Sequence, residues 1–253
     1  MSKDKAEAAK GGPRGYFDQS RDLLNSLVLV LPLLLIYQAG LFLTSGESLN
    51  GADFITIVIM RRWGSNGLLV FNGVLIVAGI IGVVVLQRRR RFDPRIAAPI
   101  AAESTIYALL LGVVITQILS RIGVHPPAMA VDAWTALASG GAGEAGVLAR
   151  VCMALGAGVN EELVFRLGMV TAIAALAGYA VSKRHAMIVA VLVSSVLFSL
   201  AHYLGPEPFA MYTFLYRFLA GAIFCVLFAL RGFAVAVYTH AIYDVLVMVV
   251  FRH

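Results

Sequence analysis

Long apolar runs alternate with short polar or proline-containing connections along most of this chain. Most of the runs have the roughly 20 residues that an α-helix needs to cross the hydrocarbon of a bilayer. The pattern predicts seven spanning helices, at residues 23–44, 67–87, 102–119, 146–178, 186–204, 209–230 and 233–251. The fold class is therefore expected to be all-α, a polytopic bundle of transmembrane helices.

Two runs depart from this simple pattern. The run at 146–178 is long enough to include a bend or an interfacial extension. The stretch 54–63 is short and ends in Arg61 and Arg62, so it is expected to lie at the membrane interface or to line a loop. We divide the chain into a mobile cytoplasmic polar tail at 1–22, N-terminal transmembrane helices at 23–145, and a C-terminal four-helix core at 146–253. No cleavable signal peptide is expected, because the first apolar run is long and lacks a small-residue cleavage site.

Composition supports the membrane setting. The 253 residues are 60% hydrophobic and 13% charged, whereas soluble domains are about 25% charged. The net charge of +6 does not indicate a nucleic-acid partner, because the basic residues cluster at the ends of apolar runs. Their distribution predicts a cytoplasmic N-terminus for a multi-pass protein of the cell membrane. We expect this membrane to be a bacterial inner membrane. Cys152 and Cys225 lie in apolar stretches and are interpreted as buried small side chains.

Ionisable residues within the C-terminal apolar runs are the main indication of function. They fall in three clusters: Glu161, Glu162 and Arg166; His202; His240 and Asp244. Such side chains are costly at bilayer depth and usually mark a site or a proton pathway. Two carboxylates, an arginine and two histidines are residue types suited to activating water.

Helical spacing separates the roles of the two glutamates. Glu162 and Arg166 are four residues apart and share a helix face, so Arg166 can neutralise Glu162. Glu161 is rotated by about 100° and is left as a candidate general base for a water molecule. The alternative is a buried charge network that only fixes helix packing.

The two histidines have similar alternatives. His240 and Asp244 are also four residues apart, so the carboxylate can orient the imidazole or share a proton with it. A paired polar face in a helix bundle would have the same spacing. His202 by itself is equally typical of an interfacial residue at a helix end.

Together, the three clusters resemble a known family. EELVFR is an EExxxR motif at Glu161, FSLAH is an FxxxH motif from Phe198 to His202, and HAIYD is an HxxxD motif from His240 to Asp244. In this order, on successive apolar helices, they are similar to the CPBP intramembrane proteases, the CAAX-prenyl-protease and bacteriocin-processing family related to Rce1-type CAAX endopeptidases. The resemblance covers about residues 146–251.

The resemblance implies an intramembrane endopeptidase of glutamic type that hydrolyses a peptide bond, near the C-terminus of a membrane-associated protein or peptide, with or without a lipid. It implies that Glu161 activates the water, that Glu162 and Arg166 support it, and that His202 helps to position the water. His240 and residue 244 would stabilise the oxyanion. Rce1-type members have Asn at that last position, whereas Asp244 must carry a proton to donate a hydrogen bond, or must act by orienting His240.

Cofactors and substrate contacts follow from the same residues. We expect no cofactor and a metal-free site, because the HExxH pattern of a zincin is absent; zinc held by Glu161, His202 and His240 is the alternative.

Phe198 and Arg217 are candidate substrate contacts. Arg217 lies inside an apolar run and could pair with Asp244, Glu161 or Glu162, or bind a substrate carboxylate; a structural ion pair is the simpler interpretation.

Two other classes of function compete with the protease. A non-catalytic scaffold or immunity protein of the same fold would not need the intact motif set. An ion-coupled transporter also uses intramembrane Glu, His and Arg, but this chain shows no internal repeat and no helix-breaking proline in its C-terminal helices. The expected partners are the lipid bilayer and a protein or peptide substrate.

Overall fold

The computed structural model describes residues 15–43, 54–88, 90–126, 146–204 and 207–251. These ranges are helical with short connections and contain no strand. The α-helices are α1 (Tyr16–Ser20), α2 (Leu23–Leu43), α3 (Phe54–Gln87), α4 (Ala97–Arg121), α5 (Val147–Gly156), α6 (Thr171–Ala177), α7 (Lys183–Ala201), α8 (Met211–Arg231) and α9 (Phe233–Val245). The polar connections at 44–53 and 127–145 lie outside the described residues.

All seven predicted runs are helical. Within the described residues, six segments are long and apolar enough to cross a membrane: Leu23–Leu41, Leu69–Gln87, Pro94–Arg121, Lys183–Leu204, Met211–Arg231 and Phe233–Val250. The seventh run, predicted at 146–178, is divided into α5, two π-helical segments (Ala157–Glu161 and Leu163–Val170) and α6. The prediction of an all-α, multi-pass membrane bundle is confirmed.

Helix α3 lies at the edge of the bundle. Only 6% of its apolar span is buried, so most of its side chains are left to face lipid. Residues 54–63, predicted to lie at the interface or in a loop, form the first part of this helix. Gly64 separates the two parts, because its φ of 65° is a left-handed conformation that glycine adopts readily.

Helix α9 lies at the centre. Ala234, Val235, Ala236 and Val237 are completely buried. The helix packs against α2, α4, α5, α8 and the first π-helical segment. A side chain on α9 is therefore held by elements from both the N-terminal and the C-terminal parts of the chain.

Gly158 brings the first π-helical segment against the backbone of α9. A Cβ added at Gly158 would stand 2.7 Å from the Cβ of Ala241 and 2.8 Å from its backbone nitrogen. Only a residue without a side chain allows this approach. Because Gly158 precedes the two glutamates and Ala241 follows His240, the contact places both motifs side by side.

The predicted tail of residues 1–22 is structured at its C-terminal end. Helix α1 packs on the bundle, where the Tyr16 hydroxyl donates to Glu103 and the Arg231 guanidinium lies 4.1 Å from the Phe17 ring centroid. Burial and the Glu103 carboxylate raise the pKa of Tyr16, which keeps the phenol protonated as a donor. These contacts position residues 16–20, which a polar composition alone suggests are mobile. Residues 1–14 lie outside the described residues.

The Gly158 contact predicts a specific stability difference. Gly158→Ala should lower the free energy of unfolding by about 1–3 kcal/mol, because overpacking forces the two segments apart. The matched control is Gly73→Ala on α3, where an added Cβ meets no atom within 4 Å, so this variant should be unchanged or slightly more stable. Denaturant titration in mixed micelles measures both. Equal stability of the two variants would contradict the close approach.

Candidate active site

The EExxxR motif lies where the chain departs from α-helical geometry. Glu161 ends the first π-helical segment, and Arg166 lies within the second. In a π-helix the backbone hydrogen bonds span five residues rather than four, and such turns are rare and frequent at functional sites. These π-helical turns are wider than the regular α-helix that the sequence spacing assumes. Glu161 and Glu162 both lie close to His240.

Glu162 is the centre of a buried polar network. Its Oε1 lies 3.0 Å from Nη1 of Arg166 and 2.8 Å from Nδ1 of His240. Glu162 and Arg166 are completely buried, and His240 is 5% exposed. The pairing of Arg166 with Glu162 is thus the one predicted from helical spacing. The network joins the π-helical segments to α9.

Aromatic rings and one carbonyl complete the surroundings of Arg166. Its Cζ lies 4.3 Å from the ring centroid of Phe198 and 5.3 Å from that of Phe224. Its Nη2 donates to the carbonyl oxygen of Gly221 at 3.3 Å. Cation–π attraction compensates part of the cost of burying the guanidinium. Gly221 and Phe224 on α8 were not identified from the sequence, since a backbone carbonyl and an apolar ring carry no motif.

Three carboxylates surround the His240 imidazole. Nδ1 faces Glu162, while Nε2 lies 3.5 Å from Oδ2 of Asp244 and 3.8 Å from Oε2 of Glu161. The ring stacks on Phe224 with a centroid distance of 4.5 Å and an interplanar angle of 15°. The imidazole is therefore fixed on one face by an aromatic ring and at Nδ1 by a hydrogen bond. Its Nε2 is directed towards the two remaining carboxylates.

Glu161 differs from Glu162 in its hydrogen bonding. It is 3% exposed, yet neither of its carboxylate oxygens accepts a hydrogen bond within the described part of the chain. Buried polar groups are nearly always hydrogen-bonded, so an exception of this kind calls for an explanation. The carboxylate can accept a proton or a hydrogen bond from a bound molecule without breaking an existing contact.

His202 lies at the end of α7, half-buried, and its Nδ1 is 2.9 Å from the carbonyl oxygen of Phe198. A carbonyl can only accept, so Nδ1 is the donor and Nε2 of the neutral ring is an acceptor. The Phe198 ring is 3% exposed and lies 5.0 Å from the His202 ring and 6.1 Å from the His240 ring. Phe198 thus packs between the clusters, and a direct contact with substrate stays a prediction.

Arg217 pairs with Glu207 rather than with Asp244, Glu161 or Glu162. Its two terminal nitrogens bind the two carboxylate oxygens of Glu207 at 2.9 and 2.8 Å. None of the three carboxylates considered as partners forms this pair. Glu207 lies in a connection, where sequence spacing gives no information about long-range contacts.

Zinc held by Glu161, His202 and His240 is the alternative to a metal-free site. Among the residues that the structure describes, no group of three His, Cys, Asp or Glu side chains is placed to hold a metal ion. A zinc ion requires three or four such side chains at about 2 Å.

Comparison with known proteins agrees with the motifs. Residues 143–246 match the family model of type II CAAX prenyl endopeptidases, Rce1-like. The match contains all three motifs and confirms the resemblance drawn from them. No curated protein and no solved structure matches the chain.

The network predicts opposite effects at neighbouring positions. Arg166→Met should lower the free energy of unfolding by about 3–5 kcal/mol, because it removes the guanidinium from the buried Glu162 carboxylate and leaves only His240 beside it. Glu161→Gln should leave stability unchanged or increase it, because no hydrogen bond is lost and a buried charge is removed. Denaturant titration of both variants in the same micelles checks this. A large loss of stability in Glu161→Gln would show that Glu161 is a structural residue.

Proposed function

We propose that this chain, whose residues 143–246 match the Rce1-like family model of type II CAAX prenyl endopeptidases, hydrolyses a peptide bond near the C-terminus of a membrane-associated protein or peptide, with water activated by Glu161. The observation that carries the proposal is the contrast between adjacent carboxylates. Glu162 is held by Arg166 and His240, whereas Glu161 is buried beside them and accepts no hydrogen bond among the described residues.

The proposed reaction starts at Glu161. Its carboxylate takes a proton from a water molecule while the water oxygen attacks the carbonyl carbon of the substrate. The carbonyl π-electrons move onto its oxygen and form a tetrahedral oxyanion. Glu161 then returns the proton to the leaving nitrogen as the C–N bond breaks. The products are a new C-terminal carboxylate and a free amine.

His240 is suited to stabilise the oxyanion. Its Nδ1 is engaged by Glu162, and its ring is fixed on Phe224, so Nε2 has a defined direction. As an imidazolium it donates from both nitrogens, to Glu162 through Nδ1 and to the oxyanion through Nε2. A preorganised donor of this kind contributes about 10²–10³ to kcat.

Asp244 is assigned the orienting role rather than the donor role. Its carboxylate lies 3.5 Å from Nε2 of His240, on the same helix face. At this distance it attracts the imidazolium without a hydrogen bond that would occupy Nε2. Rce1-type members have Asn where this chain has Asp244. The orienting role fits this difference, because an ionised carboxylate favours the charged form of the His240 imidazole.

His202 is proposed to hold the attacking water. Its Nδ1–H is donated to the Phe198 carbonyl, which leaves Nε2 as an acceptor for a water hydrogen. The residue is half-buried, whereas Glu161 is 3% exposed. The water would therefore be held between a histidine at the entrance and a glutamate inside the bundle.

The chain is proposed to lie in a bacterial inner membrane with its N-terminus in the cytoplasm. Arg21, Arg90 and Arg231 are close to one another at one end of the bundle. Arg21 donates to the Leu230 carbonyl, and Arg90 pairs with Asp22 at 2.6 Å. Under the positive-inside rule this end is cytoplasmic, and His202, at the opposite end of its helix from Lys183, is nearer the outer face.

Substitution of Glu161 tests the proposed base. With a farnesylated peptide that carries a fluorophore and a quencher on either side of the scissile bond, Glu161→Gln should lower kcat by about 10²–10⁴, the usual contribution of general acid–base catalysis. The control, Asp18→Asn, makes the same chemical change at an exposed carboxylate on α1 and should be unaffected. Wild-type rates in Glu161→Gln would contradict the assignment.

Metal removal tests the metal-free mechanism. Prolonged dialysis against a chelator should leave cleavage of the same peptide unchanged, and elemental analysis of the active protein should find less than one zinc per chain. Loss of activity on dialysis, with recovery on addition of zinc, would overturn the glutamic mechanism in favour of a metalloprotease.

A further inference from the structure

Arg217 lies on the face of α8 that lines the candidate site. Gly221 and Phe224 follow it by four and seven residues, a spacing that places all three on one helix face. Gly221 accepts from Arg166, and Phe224 stacks on His240. Arg217 is one turn further along this face, about 6 Å from Gly221 along the helix axis.

The same end of α8 adjoins His202. The Arg217 Cζ lies 5.5 Å from the ring centroid of Tyr203, the residue after His202. The Tyr203 hydroxyl is in turn hydrogen-bonded to Thr213 on α8 at 2.6 Å. Arg217 therefore lies beside the histidine proposed to hold the attacking water, at the end of the site that faces the connection between α7 and α8.

The partners in the Arg217–Glu207 pair differ in exposure. Arg217 is 8% exposed and is held in the bundle, whereas the Glu207 side chain keeps 30% of its surface accessible. Glu207 belongs to residues 207–210, which form no helix and precede α8. Replacement of the Glu207 carboxylate by another carboxylate therefore requires no change in helix packing.

We propose that Arg217 binds the terminal carboxylate of the substrate and that Glu207 occupies this position until substrate arrives. The proposal rests on the proposed function and names its substrate class, a polypeptide whose free C-terminal carboxylate lies close to the cleaved bond. The planar guanidinium binds both oxygens of a carboxylate in parallel, as it does with Glu207. The Glu207 carboxylate thus competes with the substrate carboxylate for Arg217. Substrate affinity therefore reflects the exchange of one carboxylate for the other.

Competition makes a prediction that a structural ion pair does not make. Removal of the Glu207 charge frees Arg217, so binding of a carboxylate should become tighter. Charge-assisted hydrogen bonds of this type correspond to about 10–100-fold in affinity. If the pair were purely structural, a change of either partner would lower the stability of the protein. It would not change the preference for a carboxylate substrate over an amide substrate.

The test combines four proteins with two probes. The proteins are wild type, Glu207→Gln, Arg217→Gln and the double variant. The probes are the same farnesylated fluorogenic peptide with a free C-terminal carboxylate or with a C-terminal amide. Wild type should prefer the carboxylate probe in kcat/KM. Glu207→Gln should raise kcat/KM for this probe by about tenfold, mainly through KM, and should leave the amide probe unchanged. Arg217→Gln should remove the preference, and the double variant should match it.

Binding to an inactive background separates this proposal from the proposed function. Each Glu207 and Arg217 variant is combined with Glu161→Gln, and the affinity of both probes is measured by fluorescence anisotropy. If the carboxylate probe binds with the predicted dependence on Arg217 but wild type cleaves neither probe, the carboxylate site stands and the protease proposal fails. If both probes are cleaved with a ratio that Arg217→Gln does not change, the protease stands and the carboxylate site is overturned. Failure of both probes to bind also overturns the carboxylate site.

Discussion

The ion pair between Glu162 and Arg166 is the interaction on which the rest of the structure depends. Both side chains are completely buried in an apolar bundle, where either charge alone would be very costly. The pair becomes tolerable because His240 donates to Glu162 while Gly221 and the ring of Phe198 face Arg166. These partners come from α7, α8 and α9, so satisfying the pair fixes the positions of all three helices. Glu161 has no such partners among the described residues, and this contrast supports its proposed role as the base.

The helices and much of the site could be predicted because they depend on local spacing. Apolar run length predicts the spans, and the four-residue interval predicts the contact of Glu162 with Arg166. The π-helical turns at Ala157–Glu161 and Leu163–Val170 could not be predicted, because no residue preference in the sequence marks them. For the same reason, the contact of the Gly221 carbonyl with Arg166 could not be predicted. The partner of Arg217 was missed since Glu207 lies in a connection, and only tertiary structure brings the two together.

The N-terminal helices carry no family motif, yet they hold the helix that bears His240. Glu103 on α4 binds Arg231 at 2.5 Å, immediately before the start of α9, and the Tyr16 hydroxyl donates to the same carboxylate. On the other side, α2 packs against α5 where Gly40 faces Cys152 and Gly156 faces Tyr37, both too close for a Cβ. The matched residues 143–246 therefore form a site whose central helix is clamped by α1, α2 and α4. This arrangement gives a physical role to the part of the chain that the family match does not cover.

The central claim is that Glu161 activates water for cleavage of a membrane-associated polypeptide. The most direct test compares the C-termini of all membrane proteins in cells that produce either the wild-type protein or Glu161→Gln, at equal abundance, by quantitative terminal proteomics. The account predicts at least one membrane protein that keeps its full C-terminus only with Glu161→Gln and is shortened with the wild type. Identical termini in both cell lines, with both proteins folded in the membrane, would contradict it.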